Sequence, residues 1–80
     1  MWIYGKDFSN LKNLYKKIKI GTFFVCDYAG EDEVGIILSF KYNEEFLNPK
    51  IDFTCFSPQQ EAIQLWNIYF EEIGHYRFYI

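Results

Sequence analysis

The stretch Val34-Gly35-Ile36-Ile37-Leu38-Ser39-Phe40-Lys41 decides the fold class, because its side chains alternate with the period of two that a β-strand imposes. One side of this strand is apolar throughout and is formed by Val34, Ile36, Leu38 and Phe40. The other side is formed by Gly35, Ile37, Ser39 and Lys41. Because the first side is apolar throughout, the pattern predicts that this side is buried. A slip of one residue in the pairing would exchange the two sides.

Four more segments have the β-branched and aromatic content of strands. They are residues 2–4, 22–28, 51–56 and 75–80. The turn residues Ala29-Gly30-Glu31-Asp32 stand between the second of these strands and Val34, so that the two strands are expected to form a hairpin.

A first helix is predicted from Asp7 to Lys19, with Asp7 or Ser9 as its N-cap. Its apolar residues recur every three or four positions and are Phe8, Leu11, Leu14, Tyr15 and Ile18. This spacing places them on one face of a helix, with lysines on another.

A second helix is predicted from Pro58 to Ile73. Ser57 can act as its N-cap, Pro58 fits the first turn, and Gln60 can complete a capping box. The expected apolar face consists of Ala62, Leu65, Trp66, Tyr69, Phe70 and Ile73. Gly74 stands where a left-handed C-terminal cap belongs.

These elements give the order β-α-β-β-β-α-β, an α+β fold in which two helices pack on a mainly antiparallel sheet. A chain of 80 residues is too short for two hydrophobic cores, so residues 1–80 are expected to form a single small domain.

The expected compartment is the cytoplasm, without a membrane partner. No apolar run reaches the roughly 18 residues of a membrane span, and the start Met-Trp-Ile-Tyr-Gly-Lys lacks the pattern of a signal peptide. Cys26 and Cys55 lie in apolar segments without metal-ligand spacing, which favours reduced, packed thiols; a disulfide between neighbouring strands is the alternative.

The residues offer little for catalysis. His75, the only histidine, can be a general base or a partner contact, but a histidine is also favoured after the C-terminus of a helix. The pairs Glu44-Glu45 and Glu71-Glu72 point apart on a strand or a helix, and the glycines follow no phosphate-binding spacing. We therefore expect no enzyme activity, no cofactor, no metal and no small-molecule substrate.

Charge is divided unevenly along the chain. Residues 1–20 contain five lysines against Asp7, whereas residues 21–80 contain ten acidic residues against three basic ones, for a net charge of −3. Such an asymmetry bears on which partners approach the surface. The lysines of the first helix, Lys12, Lys16 and Lys19, can follow a phosphate backbone, but the acidic remainder makes nucleic acid the less favoured partner.

The segment 27–33 places four carboxylates and a tyrosine at the predicted hairpin tip. Carboxylates at such a tip can replace the phosphates of a substrate opposite the Arg and Lys side chains of a basic protein. The predicted partner-binding residues are Asp27, Tyr28, Glu31, Asp32, Glu33, Tyr42, Glu44 and Glu45. A solubilising loop is the alternative for this segment.

In size and charge, the chain resembles the small acidic immunity proteins that neutralise nucleases. The resemblance implies a protein inhibitor, an immunity protein or antitoxin, that binds a basic toxin nuclease by direct contact. Two alternatives remain open: a nucleic-acid-binding module that uses the first helix, and a phage-encoded nucleic-acid mimic that blocks a host defence enzyme.

Overall fold

A computed structural model of the chain describes residues 1–44 and 48–80. The strands are β1 (Trp2–Tyr4), β2 (Phe23–Cys26), β3 (Glu33–Asn43), β4 (Lys50–Ser57), β5 (Ala62–Tyr69) and β6 (Tyr76–Tyr79). The helix α1 spans Leu11–Lys17, and two 3₁₀ helices span Gly5–Asp7 and Phe70–His75.

The six strands form one sheet in the order β1-β6-β2-β3-β4-β5, and every neighbouring pair is antiparallel. Leu11, Leu14 and Ile18, in and directly after α1, pack into the core on one face of this sheet. The predicted α+β class with an antiparallel sheet is therefore confirmed.

The first helix is shorter than predicted. Asn10, rather than Asp7 or Ser9, is its N-cap, and its Oδ1 accepts a hydrogen bond of 2.9 Å from the backbone N–H of Asn13. Because α1 has only seven residues, no helix in the described part of the chain has the length and apolar character that a membrane crossing requires.

The predicted second helix is wrong, because residues 62–69 form strand β5. Within the segment predicted to be helical, helical structure begins only at Phe70, in the 3₁₀ helix Phe70–His75. β5 pairs with β4 over eight residues, from Ser57 opposite Ala62 to Lys50 opposite Tyr69. Leu65, expected in the core, is 77% exposed, and Trp66 is half-buried. Ile68, which the helical pattern leaves outside its apolar face, is fully buried.

The segment after Ser57 forms a turn instead of a helix start. Glu61 has a φ of 52°, and its backbone N–H donates to the carbonyl of Pro58. The side chain of Gln59 bridges to another hairpin: its Nε2 donates to the carbonyl of Asp32, and its Oε1 accepts from the N–H of Val34. These contacts span 25 and 27 residues, so a local capping pattern does not reveal them.

The predicted orientation of β3 is also partly wrong. Gly35 and Ile37 face the core, whereas Ile36 and Leu38 are each 39% exposed. A β-bulge lies at Leu38, because Ile37 pairs with Cys55 and Ser39 with the preceding Thr54. The extra residue changes the alternation, and Phe40 therefore packs against the core as predicted.

The centre of the core is the ring of Phe24. It contacts the rings of Phe53, Trp66, Tyr76 and Phe78 at centroid distances of 5.3, 5.5, 6.2 and 6.5 Å. Phe24 pairs in register with Gly35, and a Cβ at position 35 would lie 2.8 Å from the Phe24 ring. Glycine at this position thus leaves the space in which the ring sits.

Both thiols lie inside this core. Cys26 and Cys55 are buried and free, as the sequence predicts, and burial raises the pKa of each thiol. The pKa of the Tyr76 phenol is raised as well, first by burial and then by its contact with Cys26.

We expect Ile68→Ala to lower the free energy of unfolding by about 2 to 5 kcal/mol, because it opens a cavity in the core. Leu65→Ala should change it by less than about 0.5 kcal/mol, because Leu65 is exposed. Urea denaturation of both variants measures the difference. A helix over 62–69 with the predicted apolar face would reverse the order of the two losses.

We expect Gly35→Ala to cost about 1 to 3 kcal/mol, since the added methyl group overpacks the space against Phe24. Gly74→Ala is the matched control, because a Cβ at position 74 meets no atom within 4 Å. Thermal unfolding of the two variants provides the comparison, and equal melting temperatures would contradict the packing of Phe24 on Gly35.

We expect stability to fall as pH rises above about 9, the usual pKa of a thiol. Because Cys26, Cys55 and Tyr76 have raised pKa values in the fold, the unfolded chain loses these protons first, and its ionisation favours unfolding. Their contribution to the free energy of unfolding is fully present below about pH 9 and is lost as pH rises. Urea midpoints between about pH 7 and pH 10.5 test this, and Tyr76→Phe should weaken the pH dependence.

Candidate functional site

The predicted acidic hairpin tip exists and connects β2 to β3. β2 ends at Cys26, β3 begins at Glu33, and a turn lies between them, closed by a 3.0 Å hydrogen bond from the N–H of Gly30 to the carbonyl of Asp27. Gly30 has a φ of 85°, which a residue with a Cβ rarely adopts. The turn presents Tyr28 to solvent.

Asp27 is held at the base of the tip by His75. The Nδ1 of His75 lies 2.9 Å from Oδ1 of Asp27, and the carbonyl of His75 accepts a 3.0 Å hydrogen bond from the Asp27 N–H. The ring of Tyr28 meets the His75 ring edge to face at 5.1 Å. His75 therefore fixes the direction in which the hairpin leaves the sheet.

Asp32 is held on the other side of the tip. Its carboxylate lies 3.7 Å from Nη2 of Arg77 on β6, and its carbonyl accepts the hydrogen bond from Gln59. Two of the four tip carboxylates thus have partners within the chain. In the described residues, Glu31 and Glu33 take part in no ion pair and can meet an external cation.

Beside the tip lies a cleft of about 320 Å³, which we call the tip cleft. Its lining includes Tyr28, Glu33, Trp66, Glu72 and Tyr76. The backbone pairing explains part of this grouping, since Cys26 lies opposite both Glu33 and Tyr76. The tip cleft therefore combines two carboxylates with three aromatic rings.

The negative charge of the tip cleft comes from Glu33 and Glu72. The thiol of Cys26 and the hydroxyl of Tyr76 interact with each other and add no charge at pH 7, since burial raises the pKa of each group above an ordinary value that is already basic. Oε1 of Glu72 accepts a 3.3 Å hydrogen bond from the N–H of Tyr69, which fixes the carboxylate at the start of the second 3₁₀ helix.

The remaining predicted site residues do not join this group. Tyr42 and Glu44 lie at the other end of β3, whose eleven residues span about 30 Å. Glu44 forms an ion pair of 3.3 Å with Lys12, and Tyr42 contacts the Tyr15 ring of α1 at 5.7 Å. Glu45 lies outside the described residues. Of the seven predicted residues that the structure describes, Tyr42 and Glu44 thus lie apart from the other five.

The lysines of the first helix differ in their surroundings. Lys12 is engaged by Glu44, and its Nζ lies 5.9 Å from the centre of the Tyr42 ring. Lys16, Lys17 and Lys19 are exposed. Of the three lysines that the nucleic-acid alternative requires, Lys12 is thus engaged within the chain, whereas Lys16 and Lys19 are accessible.

Of the nine residues that line the tip cleft, only Tyr28 and Glu33 are predicted as site residues, and Trp66, Glu72 and Tyr76 are among the seven that are not. Trp66 and Glu72 were assigned to the helix that does not form. The pairing of Tyr76 with Cys26 depends on the strand order, which places β6 between β1 and β2. The alternating pattern of residues 76–80 indicates a strand but does not identify its neighbours.

Within residues 1–44 and 48–80, no group of three or more His, Cys, Asp or Glu side chains is arranged to hold a metal ion. Comparison of the chain with protein-family models, with curated proteins and with solved structures finds no match.

Proposed function

We propose that this chain is a protein inhibitor of the immunity-protein or antitoxin type, which binds a basic toxin nuclease through the hairpin tip and the tip cleft. The observation that carries the proposal is the cleft itself, in which Glu33 and Glu72 stand among the rings of Tyr28, Trp66 and Tyr76. A cationic side chain is the ligand that this chemistry favours.

An Arg or Lys side chain of the partner would gain two kinds of interaction in the tip cleft. The carboxylates offer charge-assisted hydrogen bonds, and the aromatic rings offer cation–π contacts. Glu31 beside the cleft adds negative charge that speeds the approach of a basic surface. Guanidinium is the better fit, because it stacks on rings and binds carboxylates in a bidentate manner.

The proposal places the protein in the cytoplasm, where thiols remain reduced. The free, buried Cys26 and Cys55 are compatible with that compartment. Tyr42 and Glu44 are left out of the proposed interface because they lie at the distant end of β3.

The test begins with capture of the partner by the tagged wild-type chain and a counter-screen with the double variant Glu31→Gln/Glu33→Gln. For a basic partner captured by the wild type, we expect the double variant to lower the association rate constant about 3- to 30-fold and to flatten its salt dependence, because long-range attraction is lost. Stopped-flow kinetics at increasing NaCl measures both effects.

Glu44→Gln is the matched control, since it removes one carboxylate at the far end of β3 and should leave the association rate unchanged. Lys16→Gln/Lys17→Gln, assayed with a single-stranded oligonucleotide, tests the nucleic-acid alternative. The proposal fails if the captured partner binds the tip variant and the wild type at the same rate.

A further inference from the structure

The face of the sheet opposite α1 carries an uninterrupted row of apolar side chains, one from each strand. The row, which we call the apolar row, runs Trp2, Tyr79, Phe23, Ile36, Phe56, Ile63. Each member is the register partner of the next, so all six point to the same side. The ring of Trp2 contacts those of Tyr79 and Phe23 at 5.2 and 6.1 Å.

The apolar row is open to solvent. Phe23 is half-buried, and the other five members are more than a third exposed, up to 68% at Ile63. Leu38 and Leu65, which adjoin the row on β3 and β5, are exposed as well. An apolar patch that crosses all six strands is larger than the scattered apolar residues usual on a monomer and marks an interaction surface.

The charges around the apolar row are mostly paired. In the described part of the chain, Arg77 is paired with Asp32 at 3.7 Å and Lys50 with Asp52 at 3.4 Å. Lys41, opposite Asp52, and Lys6, whose Nζ lies 5.8 Å from the centre of the Tyr4 ring, are the cations in excess. A strongly basic or acidic partner finds no complementary field on this face. A second copy of the chain meets mostly paired charges there, and an apolar row is complementary to itself about a two-fold axis.

The size of the face suits a dimer. The molecule measures 33 × 23 × 23 Å, so that a broad face covers up to about 33 × 23, or 760 Å², in projection. A standard stable interface buries about 800 Å² on each partner. Two sheets packed face to face lie about 10 Å apart, which brings one apolar row onto the other.

We propose that two copies of this chain pack face to face through the apolar row and form a β-sandwich dimer with α1 of each copy outside. This inference goes beyond the proposed inhibitor function and does not depend on it, because none of the six residues of the row lines the tip cleft; the neighbouring Leu65 lies at the edge of both. Each copy in such a dimer keeps its own hairpin tip and tip cleft.

Sedimentation velocity from about 1 µM to about 200 µM tests the proposal, a range that covers weak to moderate interfaces of this area. We expect the wild type to reach twice its chain mass of 9.7 kDa. Tyr79→Lys and Ile63→Lys should each raise the dimer dissociation constant by more than about tenfold, because each places a charge in the apolar contact. Ile20→Lys is the control, since Ile20 is similarly exposed but lies outside the strands.

Thermal unfolding first verifies that each variant folds, and Trp2→Lys replaces Tyr79→Lys if the latter does not. A wild type that stays monomeric throughout the range overturns the proposal. A dimer that neither variant weakens also overturns it. A dimer that Ile63→Lys abolishes and Tyr79→Lys leaves intact would mean pairing through the free edge of β5, and the face-to-face arrangement would then be rejected.

Discussion

The packing of the Phe24 ring against Gly35 is the contact on which the rest of the sheet depends. The ring rises from β2 over a residue of β3 that has no side chain, and it meets Phe53 of β4, Trp66 of β5 and Phe78 of β6. One side chain thereby connects five of the six strands. A chain of 80 residues buries a limited share of its surface, so large rings that contact many partners contribute much of its stability.

The same contact determines what the opposite face of the sheet presents. Because successive residues of a strand point to opposite faces, an inward Phe24 places Phe23 outward, and an inward Ile37 places Ile36 outward. The register of the core thus aligns the apolar row. The bulge at Leu38 shifts the alternation, so that outward apolar side chains are confined to the half of β3 before it. Beyond the bulge, Phe40 and Tyr42 face α1 and the core.

The sequence predicts those elements whose pattern is local. The alternation in Val34–Lys41 and Ile51–Phe56 and the helical spacing of Leu11, Leu14 and Ile18 each identify an element correctly. Residues 62–69 are not predictable in this way, because both faces of β5 carry apolar side chains and their positions also match a helical period. Whether this segment forms a helix or a strand is decided by its pairing with β4 over eight residues and by the contacts of Gln59. Both are tertiary interactions. The hairpin tip could be predicted because its pattern is local. Trp66 and Glu72 of the tip cleft could not be predicted as site residues, because their positions depend on the tertiary pairing of β5.

The internal partners of the tip explain how four neighbouring carboxylates can serve the proposed binding surface. Left free, they would repel one another and the loop would lose conformational entropy on binding. His75 and Arg77 instead hold Asp27 and Asp32 against the sheet, and Gln59 fixes the start of β3 from a third direction. Glu31 and Glu33 are then presented from a hairpin whose base is already ordered. Arg77 also connects the proposed binding surface with the apolar row, since the guanidinium that pairs with Asp32 lies 5.4 Å from the centre of the Trp2 ring.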